Sequence, residues 1–411
     1  MKALIISSKF MHEYSGSGIR AYNTYKRLSK KYNITYDVIC NSVEFYGNKQ
    51  YRYEGINITR ISSAFFIYTP YTQNKIVAKY NLAGKYFSEA LSTIINLIKR
   101  DYDFIHSFGN ASSVATAAYL ARWLKKPMII ELCNRLNNPH PYMPILSRFI
   151  KPDFSRGKVF VAISRELKQV CNKFGYEDNV WCRPNPVDIN KFYVRDISEK
   201  VQLRKKLSPF KQQDIVLTFI AKFWPQKNHI FLLNVISRLP EKYKLILAGP
   251  IVFQGRHKER DQECLKRIKK KISELNLSER VHLLVEQVDM AEYLALSDVY
   301  LLPSWNEALS TPMIESLGCG IPVIANIGES AFRQWIVDGE NGYLCELDAD
   351  KWAVTIERIE IPDINKQKKI SEDIYSYAST DIIDECYYKI FNVLMGVGDK
   401  GKINIKQVLE I

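Results

Sequence analysis

The segment PSWNEALSTPMIESLGCGIPVIAN, from Pro303 to Asn326, combines a helix start with two carboxylates. It follows an apolar run, Val299–Pro303, that is typical of a buried strand, so its loop is expected at the carboxyl edge of a sheet. Ser310 and Thr311 are favourable N-cap residues, and Pro312 is favoured at the first helical position. A helix that begins there presents unpaired amides and the positive end of its dipole, and both stabilise a phosphate.

The two carboxylates of this segment are Glu307, in the loop before the helix, and Glu315, which we expect in the first helical turn. A carboxylate that accepts from two adjacent hydroxyls suits a ribose, so we assign Glu315 to a ribose and leave Glu307 to face a sugar. The alternative is that Glu315 only complements the helix dipole and that Glu307 is a solvated loop residue. The strand, the cap and the GCGIPV turn together favour the ligand site.

The second half of the chain alternates short apolar runs with amphipathic stretches. The predicted strands are Ile215–Ala221, Lys244–Ala248, Val281–Val285, Val299–Pro303, Pro322–Ala325 and Gly342–Cys345. The predicted helices are Ile230–Leu239, Glu259–Leu275, Met290–Ser297, Pro312–Leu317, Ser330–Val337 and Asp350–Ile359, with a last helix at Tyr375–Val393. This alternation predicts parallel strands that are covered by helices on both faces.

The first half repeats the pattern. The predicted strands are Ala3–Ser8, Tyr36–Asn41, Ile56–Ser62, Phe104–Phe108, Met128–Cys133, Val159–Ser164 and Val180–Arg183, and the main helical stretches are Ile19–Lys31, Lys79–Lys99 and Ser112–Leu124. The predicted fold class is therefore α/β, with two Rossmann-like doubly wound domains that face each other across a cleft. Ligands of such sheets bind at the carboxyl ends of the strands.

The hinge between the two domains is predicted in RPNPVDINKF, Arg183–Phe192, because Pro184 and Pro186 disfavour regular structure. This divides the chain into an N-terminal domain over residues 1–185, a C-terminal domain over 186–375 and a helix over 376–395.

The E-x7-E spacing of Glu307 and Glu315, followed by SLGCGIPVIA, resembles the signature of retaining GT-B glycosyltransferases of group 1, family 4. Other stretches match that family in kind: VAISRELKQ (161–169), NPVDINKF (185–192), IAKFWPQKN (220–228), LILAGP (245–250), SDVYLLPS (297–304) and VDGENGYL (337–344). The likeness covers most of the chain and is strongest from about residue 160 to 346. It implies that residues 186–375 bind a nucleotide-sugar donor, that residues 1–185 bind the acceptor, and that the 376–395 helix packs back on the N-terminal domain.

The resemblance also assigns roles. Glu307 contacts the transferred sugar, Glu315 the ribose, and Lys222 with Lys227 the diphosphate, so Glu307, Lys222 and Lys227 are the predicted catalytic residues. The family usually has arginine at the place of Lys222; lysine keeps the charge but loses the bidentate fork. The predicted donor-binding residues are Gly18, Lys222, Lys227, Glu307, Ser310, Thr311, Pro312 and Glu315.

No metal or other cofactor is expected, because a lysine pair can neutralise charge on the departing nucleoside diphosphate by itself. The two Asp-x-Asp runs, Asp101–Asp103 and Asp348–Asp350, are accordingly interpreted as solvated surface residues.

The glycine turn SGSGIRAY, Ser15–Tyr22, opens the first helix, where the family often has two adjacent glycines and this chain has Ser17-Gly18. Gly18 allows close backbone approach to the donor, although such a turn can equally be a tight strand-to-helix connection. A dehydrogenase is excluded because G-x-G-x-x-G is absent.

The family commonly has a histidine after the strand that is Met128–Cys133 here, and this chain has none there. Glu131 or Asn134 is the candidate to occupy that space. His106, His140 and the His12–Glu13 pair are further candidates, and for His106 and His140 a structural role is the favoured interpretation.

The formal net charge of +14 fits three partners: nucleic acid, an anionic membrane surface or a phosphorylated substrate. Solvated helix faces are an equal alternative for any single basic cluster. The sequence has no helix-turn-helix, zinc-finger or RNA-recognition signature, so a nucleic-acid partner is not expected. Lys26–Lys31 and the mixed basic and aromatic stretch 142–158 instead suit an anionic membrane that carries a lipid-linked acceptor.

The eight cysteines are scattered without a CxxC pair, which suits a reducing compartment. The apolar run at the N-terminus is too short for a signal peptide, and no stretch approaches the roughly 20 apolar residues that span a bilayer. We therefore expect a cytoplasmic protein, with peripheral attachment at the inner face of the membrane.

The predicted function is retaining transfer of a hexose or N-acetylhexosamine from a UDP or GDP sugar to a glycan or lipid-linked acceptor, in surface polysaccharide, lipopolysaccharide or glycolipid synthesis. The alternative is a non-catalytic nucleotide-sugar-binding protein, which the missing histidine and Lys222 would both suit. Donor choice is expected to depend on the pocket around Glu286–Asp289 and on the 303–312 loop.

Overall fold

The computed structural model describes residues 1–13, 15–41, 49–61, 75–121, 123–135, 139–140, 154–251 and 258–410. The chain divides into two compact units. Unit 1 comprises Met1–Arg183 and Ile383–Ile411, and unit 2 comprises Pro184–Ile382. The chain thus leaves unit 1 at residue 183, where the hinge is predicted at 183–192, and returns to it at residue 383.

Unit 1 is built on an eight-stranded sheet with the order β3-β4-β2-β1-β5-β6-β7-β8. The strands are β1 (Lys2–Ser7), β2 (Thr35–Asn41), β3 (Lys49–Tyr53), β4 (Ile56–Ile61), β5 (Phe104–Phe108), β6 (Met128–Leu132), β7 (Lys158–Ala162) and β8 (Val180–Cys182). All neighbouring strands are parallel except the β3–β4 pair at one edge. Strands β5, β6 and β7 are buried at every residue, as expected for parallel strands covered on both faces.

The described helices of unit 1 are α1 (Gly16–Tyr32), α2 (Lys75–Ile98), α3 (Ser112–Leu120) and α4 (Arg165–Lys173). The returning segment adds two more: α12 (Thr380–Val397), which enters the unit at Ile383, and α13 (Ile405–Leu409). Apolar residues of both pack into the core beside α1 and the sheet, among them Ile383, Tyr387, Phe391 and Leu409.

Unit 2 is built on a six-stranded parallel sheet with the order β11-β10-β9-β12-β13-β14. The strands are β9 (Ile215–Ile220), β10 (Tyr243–Ala248), β11 (Val281–Leu284), β12 (Val299–Leu302), β13 (Val323–Asn326) and β14 (Gly342–Cys345). This is the 3-2-1-4-5-6 order of the dinucleotide-binding sheets. The predicted α/β class, with two Rossmann-like sheets, is confirmed.

The described helices of unit 2 are α5 (Ile197–Leu207), α6 (His229–Ile236), α7 (Lys258–Glu274), α8 (Met290–Ala295), α9 (Thr311–Gly318), α10 (Ala349–Arg358) and α11 (Ile364–Ala378). Aspartates begin several of them. The side chains of Asp196, Asp289, Asp348 and Asp363 each accept a hydrogen bond from amides of the first turn, so four starts are encoded locally.

The structure corrects two of the predicted elements. Ser330–Val337, predicted as a helix, is a series of turns, and the single predicted helix at Tyr375–Val393 is two helices that are separated at Ser379. In addition, strand β3 and helices α4, α5, α11 and α13 were not predicted. These elements are short or strongly polar, so their apolar periodicity is weak.

A buried polar network lies in unit 1 around Glu131, whose side chain is fully buried. Arg183 Nη2 donates to both carboxylate oxygens at 2.9 and 3.0 Å, and the Tyr387 hydroxyl bonds to Glu131 and Arg183. His106 Nε2 lies 3.3 Å from Glu131, and its Nδ1 lies 2.8 Å from the Tyr25 hydroxyl. Burial acts to raise the pKa of Glu131, but the Arg183 charge and His106 outweigh it and hold the pKa at about 2. The network therefore joins the two chain segments of unit 1.

Within the described ranges, no helix is long and apolar enough to cross a bilayer. All eight cysteines are free thiols.

Removing the carboxylate at the centre of this network should destabilise unit 1. We expect Glu131→Ala to lower the free energy of unfolding by about 3 to 5 kcal/mol, because it leaves the buried Arg183 charge unpaired. Urea denaturation followed by tryptophan fluorescence measures this change. The exposed Glu177→Ala is the control.

The sign of the pH effect follows from the lowered pKa of Glu131. The stability that its ionised form contributes is present above the unfolded pKa, about 4.5, and is lost as the pH falls towards 2. The stability difference between wild type and Glu131→Gln should shrink over that interval. A difference that does not change with pH would contradict the ionised assignment.

Candidate active site

The candidate site lies at the switch point of unit 2. Strands β9 and β12 are neighbours, but the chain continues from β9 towards β10 on one side and from β12 towards β13 on the other. The loops that follow β9 and β12 therefore diverge, and a crevice opens outside their carboxyl ends, which is where ligands of such sheets bind.

The loop after β9, residues 221–228, carries the two predicted lysines. A 3₁₀ turn, Pro225–Lys227, closes it, and Asn228 takes a left-handed conformation, φ 57°, before α6 begins. The end of β10 approaches this loop closely: a Cβ at Gly249 would lie 2.0 Å from the Ala221 carbonyl oxygen. Glycine is required there, and this explains the LILAGP stretch physically.

The loop after β12, residues 303–310, is bound directly to the first loop. The Trp305 amide donates to the Gln226 carbonyl at 3.2 Å, and Gln226 Nε2 donates to the Asn306 carbonyl at 3.0 Å. Asn306 has φ 59°, a left-handed conformation that asparagine tolerates better than most residues. The backbone just before Glu307 is thus held in one conformation.

Lys227 and Glu307 meet across the switch point as an ion pair between Lys227 Nζ and Glu307 Oε1. The side chains are 23% and 11% exposed, so both charges are largely removed from water and yet remain reachable. The structure therefore brings together two of the three predicted catalytic residues, although they are 80 positions apart.

The third, Lys222, lies in the same loop as Lys227. Its ammonium nitrogen is 5.8 Å from the ring centre of Trp224. That ring is itself fixed, because Trp224 Nε1 donates to Asp261 at 2.9 Å and the Arg260 guanidinium stacks at 4.4 Å.

Helix α9 begins as the sequence predicts, with Ser310 at the N-cap and Pro312 in the first turn. Ser310 makes no side-chain hydrogen bond to the helix amides. Thr311 is oriented by another contact, since its Oγ1 accepts from Asn185 Nδ2 at 2.6 Å. The amides at this N-terminus are therefore not capped by a side chain of the cap residue, and they suit an anion.

Glu315 corrects one prediction. It is the fifth residue of α9 and lies in the second turn, and the first turn has no acidic residue. The alternative interpretation, in which Glu315 complements the helix dipole, also requires a carboxylate in the first turn and is therefore wrong. Removal from water raises the pKa of Glu315 to about 7, with Lys191 acting to lower it and Asp289 to raise it. A carboxylate with so raised a pKa is typical of a functional group.

Gly18 belongs to unit 1, whereas the other predicted donor-binding residues belong to unit 2. A Cβ there would lie 2.5 Å from the Lys9 carbonyl oxygen, so the close packing of α1 on the end of β1 requires glycine. Its amide donates to Ser15 Oγ at 3.0 Å, which caps α1. The fold alone thus explains Gly18, and its contact with the donor stays a prediction.

The candidates for the missing histidine have structural partners. His106 and Glu131 are both buried within the network described above, so neither side chain reaches a ligand without rearrangement. His140 Nε2 lies 2.6 Å from the Tyr176 hydroxyl, and His12 packs against the rings of Tyr51 and Tyr53. Glu131 thus has a structural role in unit 1, and its suggested place in the space of the family histidine stays a prediction.

The two Asp-x-Asp runs also have structural explanations in part. Asp103 accepts the Lys2 amide at 2.7 Å, and Asp348 caps α10 through the amides of Asp350 and Lys351. Among the residues that the structure describes, no three His, Cys, Asp or Glu side chains are grouped as a metal site.

Sequence reasoning missed two residues at this edge of the sheet. Gln226 joins the loops after β9 and β12, and Glu329, in the loop after β13, accepts from the amides of Asn306 and Glu307. The position of Glu329 in the sequence could have indicated it, because Glu329 follows a strand whose carboxyl end lies at the same edge of the sheet. The incorrect helix at Ser330–Val337 obscured it.

The known proteins that this chain resembles are glycosyltransferases. Residues 201–377 match the family described as "Glycosyl transferases group 1". The chain is 25% identical over 286 residues to the UDP-Gal:alpha-D-GlcNAc-diphosphoundecaprenol alpha-1,3-galactosyltransferase of Escherichia coli, a match that covers 66% of this chain and 70% of that one. It is 30% identical over 171 residues to the lipopolysaccharide core biosynthesis glycosyltransferase LpsE of Rhizobium meliloti, with 41% and 46% covered.

Solved structures share the fold over nearly the whole chain. The Anabaena Alr3699/HepE structure in complex with UDP has a TM-score of 0.71 at 17% identity and covers 96% of this chain and 100% of its own. The sucrose-phosphate synthase of Thermosynechococcus elongatus has a TM-score of 0.71 at 16% identity over the same shares.

The raised pKa of Glu315 predicts a pH-dependent stability. Below the unfolded pKa, about 4.5, Glu315 is neutral in both the folded and the unfolded state and does not affect the pH dependence of stability. As the pH rises to about 7, the side chain ionises more readily in the unfolded state, so the free energy of unfolding falls. Relative to Glu315→Gln, wild type should lose roughly 3 kcal/mol over this interval. Thermal unfolding from pH 4.5 to 8 measures it, with exposed Glu372→Gln as the control. A constant difference would show that the pKa of Glu315 is the same in the folded and unfolded states.

Proposed function

Because the chain belongs to the group 1 glycosyl transferases, with the GT-B fold, we propose that it is a retaining enzyme that transfers a hexose or N-acetylhexosamine from a UDP or GDP sugar. The acceptor in this proposal is a hydroxyl of a glycan or lipid-linked glycan. The observation that carries it is the Lys227–Glu307 pair at the switch point of unit 2, inside the matched region.

The lysines act on the leaving group. As the anomeric carbon–oxygen bond breaks, the electron pair departs on the diphosphate, and Lys227 and Lys222 are the cations of the loop after β9 that can offset this charge. The amides at the start of α9 add fixed dipoles at the same edge of the sheet. Charge stabilisation placed where charge develops is commonly the largest catalytic contribution.

Glu307 acts on the sugar. Its carboxylate is paired with Lys227. When a donor binds, its phosphate competes for Lys227, and the carboxylate becomes available to accept from hydroxyls of the transferred sugar. The acceptor hydroxyl then bonds to the anomeric carbon, and its proton passes to an oxygen of the departing diphosphate. Glu307 thereby fixes the reacting geometry, which is a main source of rate.

Glu315 acts on the nucleoside. Its carboxylate has no hydrogen-bond partner among the described residues, and it lies one turn beyond the start of α9. A ribose offers two adjacent hydroxyls as donors, which a carboxylate accepts well. Hydrogen bonds to a charged group contribute more than neutral ones, so donor affinity should rise as Glu315 ionises.

The acceptor class is suggested by the names of relatives. The Escherichia coli relative acts on a diphosphoundecaprenol-linked sugar, and a Campylobacter jejuni relative, 24% identical over 306 residues, is named for a diphospho-undecaprenol acceptor as well. These names support a lipid-linked acceptor and a place in surface polysaccharide, lipopolysaccharide or glycolipid synthesis, with the protein in the cytoplasm at the inner face of the membrane.

The donor site is tested by binding and turnover together. Thermal stabilisation is screened with UDP, GDP, ADP and CMP, and hydrolysis of the matching sugar nucleotides is followed with and without EDTA. We expect one diphosphate to stabilise the protein and EDTA to have no effect. Lys227→Ala should lower the affinity for that diphosphate about tenfold or more, because a charged contact is lost. The exposed Lys205→Ala is the matched control.

Glu307→Gln separates catalysis from binding. It should retain the diphosphate and lose turnover by about 100-fold, since the carboxylate serves the sugar and not the nucleotide. Binding without any turnover, in wild type as in the variant, would instead favour the non-catalytic nucleotide-sugar-binding protein.

An anionic membrane surface is the partner that we assign to unit 1. Unit 1 has 31 Lys and Arg against 16 Asp and Glu, a formal charge of +15, whereas unit 2 has 27 against 28, a charge of −1. The positive charge of the chain is therefore a property of one unit, which a uniformly solvated surface does not explain. A nucleic-acid partner has no recognition motif in its favour.

Helix α2 supplies the apolar part of that surface. Tyr80, Phe87, Leu91, Ile95 and Ile98 are 37 to 74% exposed. Their spacings of seven, four, four and three residues place them along one face of the helix. An exposed apolar helix face on a basic unit suits the interface of an anionic bilayer.

Vesicle sedimentation tests the membrane proposal. Binding to phosphatidylglycerol vesicles should exceed binding to phosphatidylcholine vesicles and fall with salt, and Tyr80→Ser with Phe87→Ser should reduce it about tenfold or more. Tyr377→Ser, which changes an exposed tyrosine of unit 2, is the control. Equal binding to both lipids, or an unaffected double variant, would contradict the proposal.

A further inference from the structure

Glu329 holds the backbone on which Glu307 is mounted. It lies three residues beyond the end of β13 and is only 5% exposed. One carboxylate oxygen accepts the Asn306 amide at 2.7 Å, and the other accepts the Glu307 amide at 2.9 Å. Two consecutive amides that converge on one anion, with a left-handed residue between them, form the arrangement in which loops bind anions. Here the anion is a side chain of the protein itself.

The remaining bonds of this loop make the arrangement rigid. The Trp305 amide and the Asn306 carbonyl are bound by Gln226, at 3.2 and 3.0 Å. The peptide groups that lead into Glu307 are therefore held by the loops after β9 and β13 together.

Glu329 is also fixed at its own backbone. Its amide donates to the Asn326 carbonyl at 3.2 Å, and its carbonyl accepts the Phe332 amide at 3.1 Å. Asn326 Nδ2 donates in turn to the Ser304 carbonyl at 3.1 Å, so the loops after β13 and β12 are joined at a second place. A carboxylate on so constrained a backbone defines where the Glu307 amide must lie.

We propose that Glu329 is a positioning residue for the transfer reaction, which sets the place and direction of the Glu307 side chain. This inference rests on the proposed function, in which Glu307 contacts the transferred sugar. Glu329 does not touch the sugar; it acts through the amides of Asn306 and Glu307. Displacement of a reacting group by about 1 Å can cost on the order of 100-fold in rate, so the effect of Glu329 is expected in kcat.

The two hydrogen bonds from the Asn306 and Glu307 amides require a carboxylate at position 329. Two amide donors need two acceptor oxygens, and an ionised carboxylate supplies both. Glutamine offers one acceptor and turns its NH₂ group towards the other amide. The conservative change Glu329→Gln therefore removes one of the two bonds with little change of volume.

The test compares Glu329→Gln with the exposed Glu340→Gln of the same unit. For Glu329→Gln we expect kcat to fall roughly 10- to 100-fold, with KM for the donor and the affinity for the nucleoside diphosphate changed less than about threefold, because Lys227 and Glu315 remain. Glu340→Gln should match wild type in every quantity. A merely structural role for Glu329 predicts a different pattern, in which diphosphate affinity and thermal stability fall in step with kcat.

A double-mutant cycle shows whether Glu329 acts through Glu307. In a Glu307→Gln background, where the carboxylate is already lost, the further change Glu329→Gln should have little effect on the residual rate. A double variant whose rate loss is the product of the two single losses would overturn the proposal.

Hydrogen exchange separates failure of this inference from failure of the proposed function. The amides of Asn306 and Glu307 should be protected in wild type and in Glu340→Gln. In Glu329→Gln the amide that loses its acceptor should exchange at least tenfold faster, whether or not a substrate is known. If wild type turns over no sugar nucleotide but this difference is seen, the proposed function fails and the positioning bond stands. If exchange is unchanged by Glu329→Gln, the inference is wrong.

Discussion

The site of this protein depends on one constraint of parallel sheets: every strand of a parallel sheet delivers its following loop to the same edge. In unit 2 the strands β9, β12 and β13 are adjacent, although they are far apart in the chain. Their loops contribute Lys227, Glu307 and Glu329, respectively. No local interaction could assemble these three residues, and the strand order does so at the point where the connections diverge.

The electrostatics of the pair at that point suit a site that exchanges ligands. Lys227 and Glu307 are each partly removed from water, so each offsets the cost of burying the other. In the proposed function, an incoming diphosphate replaces the carboxylate as the partner of the lysine and releases that carboxylate for hydroxyl groups. A strong but partly exposed pair can be exchanged in this way, whereas the fully buried Glu131–Arg183 pair of unit 1 cannot. The same residue types therefore serve binding in one unit and architecture in the other.

The two units differ in charge as well as in the use of their polar residues. Unit 2 is nearly neutral overall and carries two lysines, Lys222 and Lys227, in the loop after β9, whereas unit 1 carries the net positive charge and an exposed apolar face on α2. In unit 1 the polar groups of His106, Glu131 and Tyr387 are directed inwards and join chain segments. Unit 1 therefore presents a basic surface with an apolar helix face, and unit 2 presents the candidate site at the carboxyl edge of its sheet.

The sequence by itself determined the local features. Continuous apolar runs predicted nearly all the parallel strands, and Ser310 with Pro312 predicted where α9 begins, because both signals depend on neighbouring residues. Family-like motifs pointed to Lys222, Lys227, Glu307 and Glu315. Only the tertiary structure decided that Glu131 is buried on Arg183, and that the stretch after β13 is a turn whose glutamate binds a loop 22 residues earlier. Those contacts join residues that are distant in the chain, and periodicity and capping carry no information about such pairs.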